Sequence, residues 1–459
     1  GKDVQPKKQP GGYDTIPGAE DKTIYTYKGS GFVAFSESED LLKGVVKPSS
    51  TLDKTLDAEM QRRLLGGDVG LYINLAAVQS RYGDQIEQAR QSLMGMLDQA
   101  GGAGNPGMVE AAKAMYGRVF DAFKYGQALA LNFDFDPQGL VVAGQATVKP
   151  DSPAAKRLGG GHTGTGAGLA RLPADYANYF YLNVSPESFQ GLQQMGMATV
   201  FGQGGKPSPA LQKAIDTQRE AGVQEVIAAS SMSGGLRYIS QTTVKDPQKF
   251  VQGMTAMMAA MKSGGEQDFI KDAKVESQAQ SHKGFALHKA TFTYDLDKLA
   301  KMQPNTPGGA QAIKAMLGGD TSTTWYGTDG KVVLAVTAKD WNEAQRQIDA
   351  LLTGQGSLGE APGYEAARSK LPQNVTAMIL ISAQGIVRQM SSALNAMMPG
   401  ANANPPIDMP KEPALLGASI TNTPAGYQFN FAMPSAVGKV IEKGLLPLFQ
   451  GLQGGKVEK

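Results

Sequence analysis

LALNFDFDPQGLVVAGQATV, residues 129–148, reads as two strands around a tight turn. In its first half Leu131, Phe133 and Phe135 alternate with Asn132, Asp134 and Asp136. That period of two puts one set on each face of a strand. Pro137 fixes φ at the corner and Gly139 supplies a positive φ, so the chain reverses at DPQG. The alternation predicts a sheet with one covered, apolar face and one wet face carrying the aspartates.

The same shape returns as VIAASSMSGGLRYISQTTV (226–244) and LLGASITNTPAGYQFNFAM (415–433). A short apolar strand and a helical pattern precede each hairpin, in DVGLYINLAAVQSRYGDQIEQARQSLMGML from Asp68, DYANYFYLNVSPESFQGLQQM from Asp175 and NVTAMILISAQGIVRQMSSALNAMM from Asn374. In the last, Ile386, Met390, Leu394 and Met397 fall at spacings of three and four, one helix face. A second helix follows each hairpin and opens near a proline: KPDSPAAKRL, KDPQKFVQGMTAMMAAM and MPSAVGKVIEKGLL. Pro247 and Pro434 suit a first turn, where no amide hydrogen bond is lost.

A different hairpin–helix block also recurs, at 23–45, 281–302 and 323–352. Its helices are expected to start at capping residues: Ser36 with Glu39, Thr337 with Asp340, and Asp295. The fold class is therefore α+β, with repeated modules of mainly antiparallel sheet and amphipathic helices packed on one face. The expected organisation is a disordered, Pro- and Gly-rich leader (1–22), module 1 (23–158), a Gly-rich linker (159–170), module 2 (171–318) and module 3 (319–459). The polar start, without Met, fits a processed precursor.

The 459 residues carry 44 basic and 42 acidic side chains, a net charge of +2. Such a balance lacks the electrostatic footprint of a nucleic-acid binder. Hydrophobic residues, at 41%, suffice for a folded core. No stretch of ~18 consecutive apolar residues marks a transmembrane helix. The chain has no cysteine, which excludes disulfides, thiolate metal sites and a cysteine nucleophile.

The chemical motifs give little. GGGHTGTGAG (159–168) lacks the spacing of a dinucleotide fingerprint or a P-loop and reads as linker. DFDPQG (134–139) resembles the start of a calcium loop, but the twelfth position is Gln145 where a bidentate Glu is needed. His162, His282 and His288 are the only histidines and have no zinc-ligand spacing. SSMSGG (230–235) lacks the nucleophile elbow. NVS at Asn183 and NVT at Asn374 match a glycosylation pattern but fall in strands. No cofactor is implied. Two features remain, the strand YANYFYLNV (176–184), apolar on both faces, and the Met-rich helix TAMMAAM (255–261); each reads first as core packing, and second as the place where a ligand site would lie. The candidate binding residues are Tyr179, Tyr181, Met257 and Met261.

The phrases LLGGDVGLYINLAAV, SKLPQNVTAMILIS and TTWYGTDGKVVLAVTAKDWNEA resemble a diffuse group of uncharacterised bacterial extracytoplasmic proteins, secreted or lipoprotein-like. The resemblance implies a place in the periplasm or at the cell surface and offers no catalytic residue. Catalysis needs convergent titratable groups. Here Asp and Glu sit in caps, turns and strand faces. The expected function is a non-enzymatic envelope protein that binds a protein, polysaccharide or lipid through surfaces between modules. The alternatives are a carrier of an apolar ligand such as lipid and a hydrolase that uses acidic residues.

Overall fold

The architecture below is that of a computed structural model. It describes residues 6–18, 22–30, 32–47, 56, 58–101, 112–113, 116–117, 120–121, 123–158, 162–183, 208–232, 234–261, 269–302, 309–397 and 414–445. The helix expected directly after Asn183, the Gly-rich stretch beyond Gly101 and most of PNTPGGA lie outside these residues.

The chain divides into two units, Gly1–Arg62 and Arg63–Lys459. In the first, β1 (Lys7–Lys8), β2 (Asp14–Pro17), β3 (Thr23–Lys28) and β4 (Val33–Ser36) form one antiparallel sheet in chain order, followed by α1 (Glu39–Val46). The composition of residues 1–22 suggests disorder, yet two of these strands lie there. The correction has a physical cause: Tyr13 is buried, packs edge-on to Tyr25 at 5.9 Å, and gives its hydroxyl to Glu39. Gly12, at φ 85°, makes the turn that returns the chain. Helix α1 is capped by Ser38, two residues after the expected Ser36, which accepts from the Ser38 amide. Helix α2 (Ala58–Leu65) spans the division between the units.

The second unit begins with β5 (Val69–Ile73), α3 (Leu75–Gly101), β6 (Gly126–Asp136), β7 (Gly139–Val148) and α4 (Pro153–Leu158). It continues with β8 (Asn178–Asn183), α5 (Pro209–Glu220), β9 (Val223–Ser231), β10 (Arg237–Val244) and α6 (Pro247–Ala260). Next come β11 (Ile270–His282), β12 (Phe285–Tyr294), α7 (Leu296–Met302), α8 (Gly309–Leu317), β13 (Thr321–Thr328), β14 (Val332–Ala338), α9 (Trp341–Thr353) and α10 (Pro362–Arg368). Last are β15 (Ala377–Ser382), α11 (Ala383–Met397), β16 (Leu415–Thr423), β17 (Gly426–Pro434) and α12 (Ser435–Val440).

All thirteen strands join one antiparallel sheet in the order β11-β12-β13-β14-β10-β9-β8-β15-β16-β17-β7-β6-β5. In β5-β6-β7, β8-β9-β10 and β15-β16-β17 the first strand pairs antiparallel with the second across a helical connection, and a hairpin supplies the third. The three segments do not make separate sheets. β8 pairs with β15, and β17 with β7, so the expected module boundaries cut across continuous hydrogen-bonding. The turn at 136–139 forms as expected: Gly139 has φ 142°, and a Cβ there would meet the Met433 carbonyl oxygen at 2.2 Å.

The class is α+β, as expected, but around β14 helices cover both faces of the sheet, not one. On β14, Leu334, Val336 and Ala338 pack against Ala344, Ile348 and Leu351 of α9. The alternate Val333 and Ala335 pack against Phe250, Val251 and Met254 of α6. A strand reading VVLAVTA is apolar at every step, so it needs cover on each side. Asp340 caps α9 by accepting the Glu343 amide at 2.9 Å, while Thr337 bonds Thr324 at 2.8 Å. Asp295 caps α7 as expected, accepting the Lys298 amide at 3.1 Å.

From His162 onward the Gly-rich stretch is likewise packed into the fold and not a free linker; residues 159–161 lie outside the described ones. Gly164 makes a bridge with Val375, and Ala167–Arg171 forms a 3-10 turn whose Leu169 is fully buried. A Cβ on Gly164 would stand 2.1 Å from the Tyr181 hydroxyl, and Gly166, at φ 63°, lies over the same ring. These glycines let backbone pass close above a tyrosine.

Candidate functional site

The four residues expected to bind a ligand are not brought together. Tyr179 and Tyr181 are 0% and 1% exposed and belong to the main core with Met378, Leu380, Ile227 and Ile239. The Tyr179 hydroxyl donates to the Pro173 carbonyl at 3.1 Å and accepts the Tyr176 amide at 3.1 Å, so its polar end is satisfied internally. Burial pushes the hydroxyls of Tyr176 and Tyr179 far above the ordinary tyrosine range. Met261 packs at the margin of the second core cluster. Met257 faces α5, where the Gln218 side-chain amide approaches its sulfur at 3.8 Å.

Two groupings of titratable side chains lie beside the main core. Arg237 donates to Asp175 at 2.7 Å, lies 3.1 Å from Glu343, and covers the Tyr176 ring at 4.6 Å. The Tyr176 hydroxyl then donates to Gln347 at 2.6 Å. Both carboxylates are held by one guanidinium, an arrangement that ties β10 to α9 and to the turn before β8. His282 lies 2.8 Å from Asp349 and edge-on to Trp341. His288 stacks on Tyr326 at 5.3 Å, and burial lowers its pKa. Among the described residues no three His, Asp or Glu side chains group as metal ligands would.

The feature that stands out is a sheet face. In β8, β15, β16, β17 and β6 the residues on the Tyr179–Tyr181 side are mainly buried and those on the opposite side half-buried or exposed, whereas β7 follows this alternation only in part and β5 is half-buried or exposed throughout. The ladder registers align that opposite side into rows. One row runs Phe180, Ile379, Ala418, Phe431, Val142, Phe133, Val69. The next runs Leu182, Ala377, Ile420, Phe429, Gly144, Leu131, Leu71. Neither row contains a charged or polar side chain. Phe180 is 40% exposed, Ile420 47% and Phe135, at the rim, 59%. Seven strands at about 4.8 Å spacing make a surface roughly 30 Å wide. Helices α11 and α12 close one end of it, through Val387, Val437 and Val440 against Leu416 and Met433.

The polarity of the opening hairpin is thereby reversed. Asn132 is buried and Phe135 exposed, whereas the alternation read alone puts the Phe135 set inside. The Asn132 face is shared with Ala128, Ala130, Gln145, Ser419 and Asn430, all buried. The chain at Gly67 closes on it: a Cβ there would lie 2.3 Å from the Asn132 amide oxygen. Asn132 Nδ2, Gln145 Oε1, Ser419 Oγ and Asn430 Nδ2 are buried without hydrogen-bond partners, which is costly. A signal for this was present. The polar side chains facing inward on β16, β17 and β7 are neutral Ser, Asn and Gln; the exposed strand β11 carries Lys and Glu instead. Neutral polar residues tolerate burial far better than charged ones.

Neither models of known protein families, nor characterised proteins, nor solved structures give a match to this chain.

Proposed function

We propose that the protein is a non-catalytic binding protein whose open sheet face, from Phe180 across to Leu71, takes an apolar ligand of the lipid class. One observation carries the reading: two rows of uncharged, apolar residues across seven strands, interrupted only by the buried Gly144, remain partly open to water. Apolar surface of that extent on a folded chain marks a place where another apolar body sits. Strands of all three sequence modules contribute to it, in keeping with a duplicated unit whose copies together build one surface. The extracytoplasmic location implied by the resemblance to envelope proteins goes with this reading.

Protein purified without detergent and examined by native mass spectrometry and organic extraction is expected to carry a co-purifying apolar molecule. After extraction it is expected to bind a fluorescent fatty acid saturably. Replacing Phe180 and Ile420 together by Glu should weaken that binding at least about tenfold, the equivalent of ~1.4 kcal/mol. No extractable molecule and no saturable fatty-acid binding would remove the reading.

A further inference from the structure

The two ends of the thirteen-stranded sheet are built differently. The edge strand β11 carries Lys271, Asp272, Lys274 and Glu276. Its pairing with β12 slips between Ile270 and Asp272 and again between Glu276 and Gln280. Gln278 there has φ 50°, left-handed backbone that no regular strand allows. Charges, bulges and a kinked backbone are the devices by which an edge refuses a further strand.

The opposite edge, β5, has none of them. Its sequence is VGLYI, with no charge and no proline, and its register with β6 is continuous from Val69 to Ile73. Val69 and Leu71, on the open apolar face, are 52% and 44% exposed. Among the described residues no strand pairs with its outer side. Five residues match an ordinary strand, enough for a short ladder. An unprotected edge presents a row of unpaired amides and carbonyls to any strand that can reach it.

We infer that β5 is a self-association edge, and that its occupant is β5 of a second copy of this chain. Antiparallel pairing of identical strands is two-fold symmetric, so one edge is complementary to itself. A two-fold perpendicular to the sheet sets like face beside like face. It therefore continues the apolar rows ending at Val69 and Leu71 into the same rows of the partner, and covers these two side chains where charged or polar residues are absent. A foreign peptide would gain the backbone ladder but not this continuity of side chains. The inference stands apart from the proposed apolar ligand, since it rests on an edge and not on what lies over the face.

The test is sedimentation velocity of the full chain over a concentration series, with site-directed spin labels. The chain has no cysteine, so a single introduced one reports alone. The expected result is a dimer at micromolar concentration that Leu71→Lys shifts to monomer by at least tenfold in Kd, with an unchanged melting curve. Ile420→Ser, on the same face but far from the edge, should leave the dimer intact. Labels at Val69→Cys should couple dipolarly within the dimer, and labels at Glu276→Cys on β11 should not. A chain that stays monomeric throughout overturns the inference, as does a dimer whose Glu276→Cys labels couple while the Val69→Cys labels do not. The label readout decides the matter even if Leu71→Lys fails to fold.

Discussion

The two halves of the large sheet use the same strand grammar and bury it differently. Across β13, β14, β10 and β9 both faces are covered, by α6 on one side and α9 on the other, and Ile239, Leu334, Val336 and Tyr326 have no exposed surface. From β15 through β5 the other face is covered only at one end, by α11 and α12, and its rows of Ile379, Phe431 and Phe133 remain partly open. In the first half apolar residues hold the fold together. In the second, much of the apolar surface contributes little to stability, while neutral polar groups occupy the inside. A protein selected for stability alone would not arrange it so. The difference separates side chains that make the scaffold from side chains available to a partner.

The largest effect should come from putting a polar group into the covered half. Ile239→Ser removes a fully buried side chain and leaves a hydroxyl where Ala229, Val336 and Ile227 surround it. The expected loss is about 4 kcal/mol from cavity and desolvation together. Trp325 and Trp341, the chain's only tryptophans, lie 5.7 Å apart in this half. Their fluorescence during urea unfolding follows the second unit, which matters because two compact units need not unfold as one. A loss near 1 kcal/mol would mean that this half is no better packed than the other.

Gly164→Ala should have an intermediate effect. It asks whether the Gly-rich segment belongs to the scaffold. The added methyl meets the Tyr181 hydroxyl, and the ring cannot move away because it is packed beneath the 3-10 turn with Met378 and Ile227. Overpacking of this kind typically costs about 1–3 kcal/mol. An unchanged urea midpoint would return the segment to the status of a linker.

How much of this was legible beforehand follows from what a sequence pattern encodes. The antiparallel hairpins, the DPQG turn and the strand–helix–hairpin order are local, and their residues specify them: Pro137, Gly139, and the alternation through Leu131 to Asp136. Which face of a strand ends up inside is not local. It depends on register with distant strands, such as Asn430 opposite Ala143 and Asn132 beyond it, and on Gly67 closing over that side. The sequence favours core over ligand contact for Tyr179 and Tyr181, yet it does not say which face of their strand is inside, for the same reason. Their strand is apolar on both faces, and only its pairing with β9 and β15 shows that the tyrosines lie inside while Phe180, between them, faces out. The Gly-rich stretch misled because glycine serves both flexibility and close approach, and composition does not distinguish them.

The smallest effect on stability, and the most telling, belongs to Ile420→Ser. The chemical change is that of Ile239→Ser, in a strand of the same sheet, at a residue 47% exposed. Little cavity forms, the new hydroxyl can reach water, and what is lost is mainly the preference of a β-branched residue for a pleated strand, less than about 1 kcal/mol. Fatty-acid affinity should fall with it, because the side chain stands in the middle of the second open row, between Ala377 and Phe429. The pair of variants thus separates stability from binding with one substitution placed twice. If both lose several kcal/mol, the open face is covered in solution and the contrast between the halves disappears. If Ile420→Ser keeps both stability and affinity, the face is open but the ligand lies elsewhere.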